Sequence, residues 1–169
     1  MRMRRAIALA GSKILALTAL TTTCWAAGAP GDGPAPPRDW RDEILYFVML
    51  DRFEDGDPGN NDQGQGEYDP ADPRRFSGGD LAGLQRRLDY VQGLGATAVW
   101  ITPPVRNQWW SLNAQFGGYH GYWTQDFNAL DPHFGTEAEY RALARAMHGR
   151  GLRLVQDIVV NHMGDWFGY

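Results

Sequence analysis

At 169 residues, 43% hydrophobic and 21% charged, the chain has the make-up of an ordinary globular protein. Its formal net charge of -4 argues against a nucleic-acid or anionic-membrane partner. A single cysteine, Cys24, excludes any internal disulfide.

The first residues read as a secretory leader. Met1-Arg2-Met3-Arg4-Arg5 is a positive start, Ala6 to Thr23 is apolar but interrupted at Ser12 and Lys13, and small residues follow at Ala26, Ala27 and Gly28. Residues 1–26 are therefore expected to direct the protein to the periplasm or outside the cell, the apolar part being too short and broken for a stable membrane span. A lipid anchor on Cys24 is the alternative, in the poor context of Thr21-Thr22-Thr23. Residues 27–38 are rich in Gly, Pro and Ala, as in a linker. The folded part is expected over 39–169.

Ile44 to Leu50 is a continuous apolar run of strand length that stops at Asp51-Arg52. A polar loop from Glu54 to Ser77 follows. Asp80 can cap a helix bearing Leu81, Leu84, Leu88 and Val91 at spacings of three and four, closed by Gly93 and Gly95. Ala96 to Thr102 reads as a second buried strand, halted by Pro103-Pro104. After the long aromatic loop from Val105 to Gly135, Thr136 and Glu139 have capping-box spacing. Tyr140, Leu143, Ala144 and Met147 then mark a helix face that ends at Gly149 and Gly151. The run from Leu152 to His162 is a third strand, with Asp157, Asn161 and His162 toward its far end. Three strands alternating with two helices predict an α/β fold with a parallel sheet, either doubly wound or the start of a (β/α)8 barrel. Both folds bind ligands at the carboxyl ends of their strands, where these polar groups gather.

Asp55-Gly56-Asp57-Pro58-Gly59-Asn60-Asn61-Asp62 crowds hard oxygen donors as calcium requires, without EF-hand spacing; a solvated turn would use the same residues. Tyr119-His120-Gly121-Tyr122-Trp123 reads equally as a sugar-stacking platform or a packed hairpin. Asp157 is either a structural carboxylate or a site residue, and needs a partner in both cases. Phosphate-loop, dinucleotide, zinc-cluster and serine-hydrolase motifs are absent.

Five blocks in order resemble the α-amylase family of glycoside hydrolases, family 13. They are Phe76-Ser77-Gly78-Gly79-Asp80-Leu81, Gly95 to Pro103, His120-Gly121-Tyr122-Trp123 with Asp131-Pro132, Phe134-Gly135-Thr136, and Asp157-Ile158-Val159-Val160-Asn161-His162. The resemblance implies the opening part of a (β/α)8 TIM barrel, its first three strands and two helices with the long aromatic loop. It also implies retaining cleavage or transfer of α-1,4-glucosidic links in an α-glucan or maltooligosaccharide. By the family's pattern Tyr122 would stack on the sugar before the scissile bond, His162 would bond its hydroxymethyl group, His120 would line the same subsite, and Asp157 would brace the strand ends. Asn161 would be the main calcium ligand. A second calcium, as in cyclodextrin glucanotransferases, would use Asp55, Asp57, Asn60, Asn61, the Gly78 carbonyl and Asp80.

The family's nucleophile, acid–base and stabilising acids belong to strands four, five and seven, which places all three beyond residue 169. A barrel takes roughly 250 residues, so the chain is expected to be a partial one, inactive and aggregation-prone alone. The alternatives are a cyclodextrin glucanotransferase or cyclomaltodextrinase relative, or a non-catalytic calcium- or glucan-binding module.

Overall fold

A computed structural model describes residues 38–165. The leader, Cys24 and all of the linker but Arg38 lie outside the described residues. Arg38, assigned to the linker by composition, is pinned to the fold: its guanidinium donates to the Gly151 carbonyl (2.6 Å) and pairs with Glu43 (3.2 Å).

Three parallel strands form the central sheet. β1 (Leu45–Val48) lies beside β2 (Ala98–Ile101), and β2 beside β7 (Arg153–Gln156). The register places Tyr46 opposite Val99, and Val99 opposite Leu154. Side chains alternate across each strand, so one face carries Tyr46, Val48, Val99, Ile101 and Leu154. That face packs on the helices α1 (Leu81–Arg86), α2 (Leu88–Gly93) and α3 (Glu137–Gly149), whose Leu84, Leu88, Leu143 and Met147 are fully buried. Burying each such side chain contributes about 1.5–3 kcal/mol. The opposite face carries Leu45, Phe47 and Trp100, which are 48%, 46% and 38% exposed. Among the described residues the sheet does not close into a barrel.

The apolar runs are longer than the strands they make. Ile44 to Leu50 is strand only to Val48, because the chain then tightens into a 3-10 turn over Leu50–Arg52. Leu152 to His162 is strand only to Gln156. The Asp157 N–H still reaches the Ile101 carbonyl (3.1 Å), but Pro103 and Pro104 on the neighbouring strand have no N–H with which to continue the ladder. Ile158 and Val160 consequently leave the sheet and are exposed.

The helix expected over Leu81 to Val91 is two short ones. They meet at Arg87, whose N–H is shared between the carbonyls of Gly83 (3.2 Å) and Leu84 (3.1 Å), a tightening that still buries Leu81, Leu84, Leu88 and Val91. α3 has the anticipated capping box: the Thr136 hydroxyl accepts from the Glu139 N–H (3.3 Å) and the Glu139 carboxylate from the Thr136 N–H (2.7 Å). Gly95 and Gly151 follow the helices at φ 84° and 72°, a left-handed conformation that favours glycine at helix ends.

The aromatic stretch from Val105 to Gly135 is structured rather than a bare loop. β3 (Val105–Asn107) pairs antiparallel with β6 (Thr124–Leu130), and β4 (Trp110–Ser111) with β5 (Phe116–Gly117). The sequence hid these strands because they are short and carry polar residues on their open faces.

Candidate functional site

Four polar side chains from the aromatic stretch and the segment after β7 converge at the carboxyl edge of the sheet. The Tyr122 hydroxyl donates to Asp157 Oδ2 at 2.8 Å. The Tyr122 N–H donates to His120 Nδ1 (3.0 Å), and the two rings lie nearly parallel, 5.8 Å apart. His162 Nε2 sits 3.1 Å from the Tyr122 carbonyl, which fixes that nitrogen as the donor.

Burial alone pushes His120 down to about 4, so near neutrality it is uncharged. With Nδ1 accepting, its remaining proton is on Nε2. Burial, with help from Asp157, raises Tyr122 to about 12 and keeps it a neutral hydroxyl donor. A half-buried phenol ring, an imidazole N–H and a carboxylate are what a pyranose needs, one face to stack on and groups to bond its hydroxyls.

The two readings of the Tyr119 to Trp123 segment divide between its residues. Tyr119 is buried under the Arg52 guanidinium, 3.6 Å from the ring centre, and serves packing. Tyr122 is partly open. Asp157 stands one residue past the strand in which it was expected, and its partner is the Tyr122 hydroxyl rather than an arginine.

Among the described residues, three buried oxygens of the loop after β1 have no hydrogen-bond partner: Asp55 Oδ1, Asn60 Oδ1 and Asn61 Oδ1. Buried acceptors are rarely left unpaired, and a set of hard oxygens in one loop fits calcium. Gly78, at φ 92°, lies so close to Asn61 that a Cβ there would come within 2.7 Å of its amide. Two others of the expected ligand set, Asp80 and Asp57, also bond within the loop. The Asp80 carboxylate already accepts from Gly83 N–H (2.6 Å), Gly56 N–H (3.1 Å), Asp57 N–H (2.8 Å) and the Asn60 amide (3.1 Å). Asp57 is exposed, and its carboxylate accepts from the Gly59 N–H at 2.9 Å. Both shape the loop through bonds of their own. Asn161 is exposed beside His162, its amide 3.3 Å from Nδ1, and the structure does not bring it to this loop's oxygens.

The model of the alpha amylase catalytic domain matches residues 47–169. The chain belongs to the α-amylase family.

Its family relatives include the periplasmic alpha-amylase of Escherichia coli, 44% identical over 140 residues, a match covering 76% of this chain and 20% of that protein. The cyclomaltodextrin glucanotransferase of Klebsiella oxytoca is 43% identical over 127 residues, covering 73% of this chain and 19% of that one. Among solved structures, an Anoxybacillus α-amylase superposes with a TM-score of 0.67 at 42% identity, over 76% of this chain and 26% of that one. The chain spans about a fifth of the length of these curated relatives.

Two groups of buried charge behind this family edge escaped the sequence reading. Asp51 accepts from the Ser77 N–H (2.9 Å) and the Gly78 N–H (3.2 Å) and pairs with Arg52 at 3.2 Å. Burial outweighs these partners and raises its carboxyl to about 6. Arg52 also donates to the carbonyls of Pro73 (2.9 Å) and Arg75 (2.8 Å), closing the loop. The second group is His133, held between Asp131 (2.7 Å to Nδ1) and Glu67 (2.8 Å to Nε2), with Phe76 stacked on the ring at 3.9 Å. Burial opposes charge on His133 and Glu67, yet the two carboxylates hold the imidazole above its ordinary value, and the loop amides and His133 hold Glu67 below its own. A signal for the first group existed, since charge directly after an apolar strand marks a residue with a buried partner.

Proposed function

We propose that this chain supplies the sugar-gripping edge of an exported, calcium-stabilised enzyme that cleaves α-1,4-glucosidic bonds with retention. The observation carrying this reading is the convergence of Tyr122, His120, Asp157 and His162 from two separate stretches onto one edge. Tyr122 stacks on the sugar ring, His120 Nε2–H bonds a hydroxyl, and Asp157 orients the phenol. His162 reaches the sugar's hydroxymethyl group by giving up its bond to the Tyr122 carbonyl. Retaining cleavage needs two carboxyl groups about 5–5.5 Å apart, and no described residue is assigned to that pair. The role proposed for the residues described is accordingly binding of the glucan.

Calcium, when bound, supplies positive charge to Asp55, Asn60 and Asn61 and fixes the loop after β1; Asn161 remains the candidate ligand of a second ion. Export agrees with the leader-like residues 1–26 and with the periplasmic relative, and no helix among the described residues is long and apolar enough to cross a membrane.

Calorimetric titration with maltoheptaose tests the reading. The wild-type chain should bind saturably, and Tyr122→Ala should weaken that binding about tenfold or more. Equal affinity in the variant, or no binding by the wild type, would refute it. The unpaired oxygens of the first loop favour a second reading, a glucan transferase of the cyclodextrin-forming type. Analysis of products from the complete gene, cyclic or linear, separates the two.

A further inference from the structure

A second concave site shares no residue with the Tyr122 cluster. It is a cavity of about 150 Å³ where the loop after β1, the β3–β6 ribbon and the turn before α3 meet. Its walls include Gln63, Gln65, Arg106, Trp109, Gln125 and His133. Trp109 is 38% exposed, an indole the fold leaves uncovered. Among the described residues Arg106 makes no ion pair.

The site is held from behind. Buried Glu67 accepts from the Gln63 N–H (2.5 Å) with one oxygen and the Gln65 N–H (2.8 Å) with the other, and bonds His133 with the first. Asp131 fixes the far side of His133 and accepts from the Asn107 N–H (2.8 Å), next to Arg106. One buried network thus sets three walls of the cavity. The lining carries one acid, Asp131, and one guanidinium, Arg106, with no cluster of like charge to select an ion. A flat apolar face flanked by carboxamides and a guanidinium matches a neutral polyhydroxylated ring, whose C–H face stacks while its hydroxyls bond donors and acceptors at the edge.

We propose that the cavity bounded by Trp109, Arg106, Gln65 and Gln125 is a second, non-catalytic binding site for a glucose unit of an α-glucan chain. The identity of the sugar rests on the function proposed above; the site itself does not. Two separated contacts on one polymer raise retention more than either alone, because the second contact is made within an already bound chain.

Affinity electrophoresis of the full chain through gels containing amylopectin tests this, comparing wild type, Trp109→Ala, Tyr122→Ala and the double variant. Trp109→Ala should weaken retention about 3- to 10-fold, Tyr122→Ala should leave part of it, and the double variant should migrate as in a gel without polysaccharide. Arg106→Gln should weaken retention in the same direction, and Trp109→Phe should keep most of it. Unchanged retention in Trp109→Ala would overturn the second site. Complete loss in Tyr122→Ala alone would do the same while leaving the function proposed for the Tyr122 cluster intact. Loss in Trp109→Ala with none in Tyr122→Ala would support the second site and remove the first. No retention of the wild type would overturn both.

Discussion

After β1 the chain turns at once into buried polar structure, whereas after β7 it runs out along the surface. Asp51 is buried beside Arg52 and two backbone N–H groups, and Asp80 takes three donors from the loop that follows and one from the first turn of α1. Past β7, Asp157 has one side-chain partner, Tyr122, and Ile158, Val160 and Met163 are exposed. Both segments leave the same edge of the same parallel sheet and both begin with an acid. They differ in the chain that surrounds them. Among the described residues, the first acid is enclosed by a loop that returns over it, and the second meets only the aromatic stretch. A polar residue at a strand end becomes a rigid part of a site when structure from elsewhere covers it.

The largest effect that would sharpen the contrast is on stability. Asp80→Ala removes a helix cap and leaves three further donors without their acceptor, a loss of about 3–5 kcal/mol. Asp157→Ala, at a half-exposed position with one side-chain bond, should cost about 1 kcal/mol. Urea unfolding monitored by far-UV circular dichroism measures both. Equal losses would mean that the two ends of the sheet are equally built. Metal should act on the first region next. Calcium at 100 times its dissociation constant should stabilise the fold by about 2.7 kcal/mol, seen as a raised melting temperature that a chelator reverses. Asn61→Ala and Asp55→Ala should abolish that rise, and Asp157→Ala should not.

How far this contrast could be read in the sequence depended on distance along the chain. Leu81, Leu84, Leu88 and Val91 repeat at helical spacing, and Thr136 with Glu139 is a local cap, so both helical regions were legible; the kink at Arg87 was not, because it arises from a shared hydrogen bond that leaves the spacing intact. The oxygen donors of the first loop lie within a few residues of one another and were legible as a group. Which of them stay unpaired was not, since Asp80 and Asp57 are claimed by backbone donors that only the folded loop presents. His162 at a strand end and the Tyr119 to Trp123 segment were each candidates from their own residues. That the two belong to one site came through the resemblance to the α-amylase family, since the separation of 40 residues between Tyr122 and His162 is too long for spacing to reveal. Glu67 and His133 are 66 residues apart, in stretches that resemble ordinary loops, and nothing local marks either as buried. The strands of the aromatic stretch were missed for a related reason: β3, β4 and β5 have only two or three residues, too few to show alternation, and the seven-residue β6 carries Gln, Asp and Asn among its apolar residues.

Buried His133, held between Asp131 and Glu67, gives the covered region a dependence on pH. Its folded-state value is raised, so the stability it contributes is complete below the unfolded value of about 6.5 and fades as pH rises through the folded value. Unfolding free energy measured from pH 6 upward should therefore fall for the wild type. The fall should be flattened in His133→Gln, which cannot titrate. A slope unchanged in His133→Gln would place the pH dependence elsewhere.

The smallest expected effect concerns the side-chain bond between Asp157 and the aromatic stretch. Tyr122→Phe keeps the ring and its stacking surface but deletes the hydroxyl that reaches Asp157, at a cost of about 0.5–1.5 kcal/mol. If Asp157 works by orienting the phenol, Tyr122→Phe and Asp157→Asn should each loosen maltoheptaose binding modestly, and the double variant should be no worse than the weaker single one. Additive losses in that cycle would mean that Asp157 meets the sugar directly. The segment after β7 would then need no bracing from the aromatic stretch, and the difference between the two strand ends would be one of exposure rather than of order.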